Sequence, residues 1–103
     1  ADDYATVGIA AALRLDASTG ACQECRIAMG SVGSTPLRAS QAEALVRGQQ
    51  LTPALLREAG EMAQQQTDPL SDTRGSAAYK RAMTGVFVRR ALEQAWQQAL
   101  AAR

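Results

Sequence analysis

From Arg74 to Ala102 no proline interrupts a run dominated by Ala, Arg, Gln and Leu, and this stretch constrains the fold more than any other. It predicts a single helix of about 27 residues, roughly 40 Å long, with Ser76 as its N-cap. A helix of that length fits a chain of 103 residues only when other elements pack along it. Its apolar residues form two stripes. Tyr79, Ala82, Met83 and Val86 share one face in the first half, and Val88, Leu92, Ala95 and Ala99 share another in the second, with Phe87, Trp96 and Leu100 flanking. A surface helix with one partner carries one stripe. Two displaced stripes predict two partners, the chain's own core and a second body.

The N-terminal third has the period of strands. In residues 4–15, Ala5, Val7, Ile9, Ala11, Leu13 and Leu15 alternate with Tyr4, Thr6, Gly8, Ala10, Ala12 and Arg14. Asp16-Ala17-Ser18-Thr19-Gly20 is turn chemistry, with Gly20 free to take a positive φ. Residues 22–32 alternate again, Cys25, Ile27 and Met29 against Glu24, Arg26, Ala28 and Gly30. Pairing Leu13 with Gln23, Ile9 with Ile27 and Val7 with Met29 places the large apolar residues together, which predicts a long antiparallel hairpin. The other face carries Gly8, Ala10, Ala12, Ala28 and Gly30. Such small residues let a helix, a cofactor or a neighbouring chain approach closely, and an alanine-rich helix of the same domain is the expected cover.

Gly33-Ser34-Thr35-Pro36 ends the hairpin, and Leu37-Arg38-Ala39 predicts a short third strand. Ser40-Gln41-Ala42-Glu43 has the form of a capping box, opening a helix that stops at Gly48. Thr52-Pro53 opens a second helix, with proline at the first helical position, and it runs to about Gln66. Thr67-Asp68-Pro69 breaks the chain before the final helix. The fold class is therefore α+β: a small antiparallel sheet, a long hairpin plus a short third strand, covered on one face by three helices of which the last is long. One domain spans 1–103, large enough to bury about two-thirds of its unfolded surface.

Composition restricts the chemistry. The absence of histidine removes the commonest general base and metal ligand. A net charge of +1 gives no field for nucleic acid, and no apolar run approaches the roughly 18 residues of a membrane span, so the expected location is cytoplasmic. Cys22-Gln23-Glu24-Cys25 has CxxC spacing. On a regular strand, however, residues three apart face opposite ways with Cα atoms about 10 Å apart, beyond disulfide reach. Zinc needs further Cys or His ligands that the chain lacks, so both cysteines read as free thiols. Gly30-Ser31-Val32-Gly33 echoes the GxxG loop of KH domains but leaves a strand rather than joining helices, and no lysine follows to make a P-loop. Lys80-Arg81 and Arg89-Arg90 give the last helix a basic side, partly paired with Glu93. No catalytic residue and no metal site emerge.

Three segments at consistent spacing carry a resemblance: Asp3-Tyr4-Ala5-Thr6-Val7, then residues 30–39 from Gly30-Ser31-Val32-Gly33 to Arg38-Ala39, then Asp72-Thr73-Arg74-Gly75-Ser76-Ala77-Ala78-Tyr79-Lys80-Arg81. With them the whole chain resembles the C-terminal domain of the FAD-binding (medium) subunit of molybdenum hydroxylases, the carbon monoxide dehydrogenase and xanthine dehydrogenase family. The resemblance implies a piece of a longer subunit whose N-terminal FAD-binding domains hold most of the cofactor. It also implies a complex with molybdopterin and iron–sulfur subunits, in which the flavin passes electrons to an acceptor. In the carbon monoxide dehydrogenase branch a tyrosine of the Asp-Tyr-Ala sequence lies against the isoalloxazine ring. Carried over, that residue is Tyr4, with Asp3 beside it as the second cofactor-binding position. The expected function is a non-catalytic domain, without activity alone, that helps cover the flavin and dock its neighbours. The alternative is a stand-alone interaction module that dimerises through its sheet or its long helix.

Overall fold

The computed structural model describes residues 7–31, 37–66 and 77–102. Six elements follow in order: β1 (Val7–Leu15), β2 (Cys22–Ser31), β3 (Leu37–Arg38), α1 (Ser40–Val46), α2 (Pro53–Gln65) and α3 (Ala77–Ala101). The strands form one antiparallel sheet in the order β1-β2-β3. All three helices contribute to a single core against one face of it, the α+β architecture expected.

The hairpin register is displaced from the expected one. Val7 lies opposite Ser31, Ile9 opposite Met29 and Leu13 opposite Cys25, two residues away from the anticipated partners. Because strand side chains repeat every two residues, the displacement keeps the same faces together. Its cause is the connection. Asp16 and Ala21 close the loop through Asp16 N–H donating to the Ala21 carbonyl at 2.8 Å, and Gly20 takes φ +81° inside it. The Asp16 carboxylate accepts from the Ser18 and Thr19 amides, both at 2.8 Å, and from the Ser18 hydroxyl at 2.7 Å. A second irregularity follows at once: Arg14 pairs with Glu24 but Leu15 pairs with Cys22, leaving Gln23 as the extra residue of a β-bulge.

The expected capping box does not close. Ala39 occupies the N-cap of α1 and no side chain caps that end. Glu43 turns inward instead, where its carboxylate accepts from the Ile27 amide at 2.8 Å and binds the Arg38 guanidinium at 2.7 and 2.8 Å. Sheet geometry explains the exchange. The Ile27 carbonyl accepts from Ala39 N–H at 2.9 Å, as a ladder would require. There β3 has already turned into α1, so Glu43 completes the pairing that a longer strand would have given the buried Ile27 N–H. The second helix start matches expectation, with Thr52 Oγ1 accepting from Leu55 N–H at 3.0 Å and Pro53 in the first turn.

Helix α3 covers the β1 half of the sheet and crosses α2. Val88, Leu92 and Ala95, three of the second stripe, are buried, as are Ile27, Leu56 and Val46 from the rest of the core. In the first half the face turned inward is Thr84 and Gly85, while Met83 and Val86 are half-buried and Ala82 is exposed. Among the described side chains the first stripe is therefore less deeply buried than the second, and the Tyr79 side chain lies outside them. The helices approach through glycine there: a Cβ on Gly60 would stand 2.6 Å from the Gly85 carbonyl oxygen. Ser76, expected as the N-cap, lies outside the described residues.

Candidate functional site

Alternation along β1 and β2 separates two unlike faces. Ile9, Ala11, Leu13 and Leu15 pack on the core with Cys25, Ile27 and Met29. Gly8, Ala10 and Ala12 are exposed on the opposite side, with Ala28 and Gly30 half-buried beside them. Cross-strand pairs set these residues side by side: Gly8 with Gly30, Ala10 with Ala28, Ala12 with Arg26. Among the described residues no helix lies over this face, where one was expected. All three helices take the side with the larger apolar area, because burying Ile, Leu and Met releases more free energy than burying Ala and Gly.

The result is an open wall of small residues. A Cβ on Gly8 would meet nothing nearer than the Gly30 carbonyl oxygen at 3.9 Å. Charge collects at one end of it, where Arg14 donates to Glu24 at 2.7 Å and to Gln23 at 2.8 Å. That contact with Arg14 holds the Glu24 carboxyl below its ordinary range. Arg26 adds an exposed cation next to Ala12.

Tyr4 and Asp3, the two cofactor-binding positions implied by the resemblance, lie outside the described residues. The described part of the face offers what a planar group or a packed element can lie against, namely small side chains and open space. It fits FAD as a covering wall. A groove of about 330 Å³ among the described residues, between Leu13, Arg14, Leu15, Ala17, Ala99 and Ala102, is apolar apart from Arg14 and offers no set of donors for a pyrophosphate. Among the described residues no group of three Cys, Asp or Glu side chains could hold a metal ion. No helix among them is long and apolar enough to cross a membrane.

The sequence reading missed two features. One is the buried Glu43, only 3% exposed at its side chain. The other is the bulge that puts Cys22 and Cys25 on one face, each 1% exposed, where a regular strand would have parted them. Both thiols are free, as expected. A signal for the bulge was present: the adjacent polar residues Gln23 and Glu24 break the alternation between two buried positions.

Comparison with known proteins decides the family. The family model described as "CO dehydrogenase flavoprotein C-terminal domain" matches residues 1–95. The chain belongs to this family. The carbon monoxide dehydrogenase medium chain of Afipia carboxidovorans is 42% identical over 93 residues, covering 90% of this chain and 32% of that relative. The medium chain from Hydrogenophaga pseudoflava is 36% identical over 94 residues, covering 91% and 32%. Among solved structures, quinoline 2-oxidoreductase from Pseudomonas putida 86 superposes with a TM-score of 0.79 at 28% identity over 90% of this chain and 32% of that one. Carbon monoxide dehydrogenase from Hydrogenophaga pseudoflava gives 0.75 at 40% identity, covering 88% and 31%. This CO dehydrogenase flavoprotein C-terminal domain thus spans about a third of the length of the curated relatives it matches.

Proposed function

We propose that this domain is a non-catalytic part of the FAD-binding subunit of a molybdenum hydroxylase-type oxidoreductase of the carbon monoxide dehydrogenase kind. In that role it helps cover the flavin and docks the N-terminal FAD-binding domains of its own subunit, within a cytoplasmic complex that includes molybdopterin and iron–sulfur subunits. The observation that carries the reading is the uncovered wall of Gly8, Ala10, Ala12, Ala28 and Gly30 on a domain of this family. The sequence alternation assigns Tyr4 to the same side as Gly8 and Ala10. Tyr4 then offers its ring to the isoalloxazine and Asp3 lies next to it. Bound FAD supplies the redox chemistry, and this chain contributes shielding and orientation.

The test compares FAD retention by the full medium subunit and by its Tyr4→Ala variant. Loss of one stacking contact, worth about 1 kcal/mol, is expected to raise the FAD dissociation constant roughly fivefold, and residues 1–103 alone are expected to retain no FAD through gel filtration. Tight FAD binding by residues 1–103, or an unchanged dissociation constant in the variant, contradicts the role. A tight dimer of residues 1–103 that persists when the rest of the subunit is supplied points to the interaction module instead.

A further inference from the structure

The outer backbone groups of β2 and of β1 are treated differently. On the β2 side, Ile27 N–H donates to the Glu43 carboxylate at 2.8 Å and the Ile27 carbonyl accepts from Ala39 N–H at 2.9 Å. Cys22 N–H donates to the Gln49 carbonyl at 2.8 Å, and the Cys22 carbonyl accepts from Gly48 N–H at 2.7 Å. These contacts fix the phase of the hairpin. In an antiparallel ladder the N–H and C=O of one residue point to the same side, and that side alternates along the strand. Ile27 points away from β1, so its partner Ala11 points away from β2, and Ile9 and Leu13 do the same. Strand β1 has β2 as its one neighbour in the sheet. Among the described residues no backbone hydrogen bond meets the outward groups of Ile9, Ala11 and Leu13.

Natural sheets guard an open edge with Lys, Pro, a bulge or an inward charge. The run from Val7 to Leu13 carries none of these. Ile9, Ala11 and Leu13 are half-buried, whereas their partners Met29, Ile27 and Cys25 are buried. The groove beside α3 belongs to this same edge. It is lined by the successive residues Leu13, Arg14 and Leu15, whose side chains alternate between faces, and by Ala99 and Ala102 across from them. Unpaired ladder groups beside an apolar groove suit a further strand, bonded main chain to main chain with alternate side chains in the groove.

We propose that β1 is paired along this edge by an extended segment of the same medium subunit, from the part that lies outside this chain. The inference rests on the docking role proposed above. Size and continuity identify the source. The chain spans 32% of the carbon monoxide dehydrogenase medium chains it matches, so in a subunit of that length most of the polypeptide is available. Gly8, Ala10 and Ala12 of the wall alternate with Ile9, Ala11 and Leu13 on one strand, so a body docked on the wall reaches the edge. A tethered segment acts at high effective concentration, and a few backbone hydrogen bonds then suffice to hold it.

Hydrogen–deuterium exchange of the natural subunit carrying this chain, resolved to single amides by electron-transfer fragmentation, reads the pairing. The Ala10 and Ala12 amides, which face β2, are the internal reference. Those of Ile9, Ala11 and Leu13 are expected to exchange as slowly as the reference, and rapid exchange at all three overturns the proposal. Ala11→Pro removes the central outward N–H at a position where an edge strand accepts proline. In that variant Ile9 and Leu13 are expected to lose their protection while Ala10 keeps it. Undiminished protection of Ile9 and Leu13 in the folded variant means burial without pairing and overturns the proposal as well; if the variant does not fold, the wild-type rates decide. Protection that vanishes on dilution assigns the edge to a second copy and also overturns it. Rapid exchange with weakened FAD binding in Tyr4→Ala removes the edge pairing and leaves the flavin role standing, whereas slow exchange with unchanged FAD binding does the reverse.

Discussion

Gly60 on α2 lies against Gly85 on α3 so closely that neither position has room for a methyl group. A Cβ on Gly60 would stand 2.6 Å from the Gly85 carbonyl oxygen, and one on Gly85 would stand 3.0 Å from the Gly60 carbonyl and 2.7 Å from Gln64 Oε1. The crossing brings the long helix onto the rest of the domain where Thr84 and Gly85 are its buried residues and Met83 and Val86 are half-buried.

Replacing a helical glycine by alanine ordinarily gains about 1 kcal/mol of helix propensity. At Gly60 the new methyl meets backbone, which cannot swing aside, so an overpacking cost of about 1–3 kcal/mol opposes that gain. Gly60→Ala is expected to lower the urea midpoint. Gly85→Ala meets the Gln64 side chain at 2.7 Å and backbone only at 3.0 Å, and is expected to cost less. Equal or greater stability of Gly60→Ala would remove the helix crossing from the explanation of this fold.

Glu43 replaces a missing stretch of β3, and its charge makes that replacement sensitive to acid. Burial pushes its pKa up, but the Arg38 hydrogen bond and the Ile27 amide outweigh burial and leave it below the ordinary 4.5. A depressed folded-state pKa gives stability that is complete above 4.5 and is lost as pH falls through the lower folded value. Glu43→Gln is expected to cost about 1–3 kcal/mol at neutral pH and to flatten the acid limb of stability against pH. An acid limb identical in both proteins would show that Glu43 carries no linked charge.

Thr52 is the side-chain cap of α2. Thr52→Ala leaves the Leu55 N–H without its 3.0 Å partner and is expected to cost about 1 kcal/mol. For a domain near 100 residues that is a fall in Tm of about 4–8 °C, read by calorimetry. Ser40→Ala is the matched control, since no side chain caps α1; a Ser40→Ala loss as large as that of Thr52→Ala would contradict the assignment.

Much of this architecture was legible from residue pattern, because alternation and capping are local. Thr52-Pro53, Gly20 and the strand faces were all readable from neighbours within a few positions. The features that escaped depend on distant partners. Glu43 has capping-box spacing from Ser40, but its carboxylate goes to Ile27, where β3 stops pairing. The register of Leu13 followed from a loop closed by Asp16 and Ala21, which alternation cannot count. Likewise Gly85, not Met83 or Val86, faces inward on α3, since the partner glycine belongs to another helix.

The candidate wall was legible as a face of small residues, but not what would cover it. Composition alone favoured a helix of the same domain, and only the competition between the two faces of the sheet leaves Gly8, Ala10 and Ala12 open. The cysteine pair was hidden by a one-residue bulge, whose effect on side-chain direction is total while its trace in the sequence is just Gln23-Glu24.

Asp16 offers the sharpest check on the loop that sets this register. The Ser18 hydroxyl, then the Thr19 and Ser18 amides, donate to its carboxylate and lower its pKa from 3.8 to about 2. The sign follows from the depressed value: the contribution is complete above 3.8 and disappears as pH falls through about 2. Carboxyl chemical shifts followed during acid titration are expected to place the Asp16 midpoint near 2. In Ser18→Ala, which removes the largest of these donors, the midpoint is expected to move back towards 3.8 while Glu24 is unaffected. A wild-type midpoint at 3.8 would mean that the loop does not hold its donors on Asp16, and the physical account of why Leu13 meets Cys25 rather than Gln23 would fail with it.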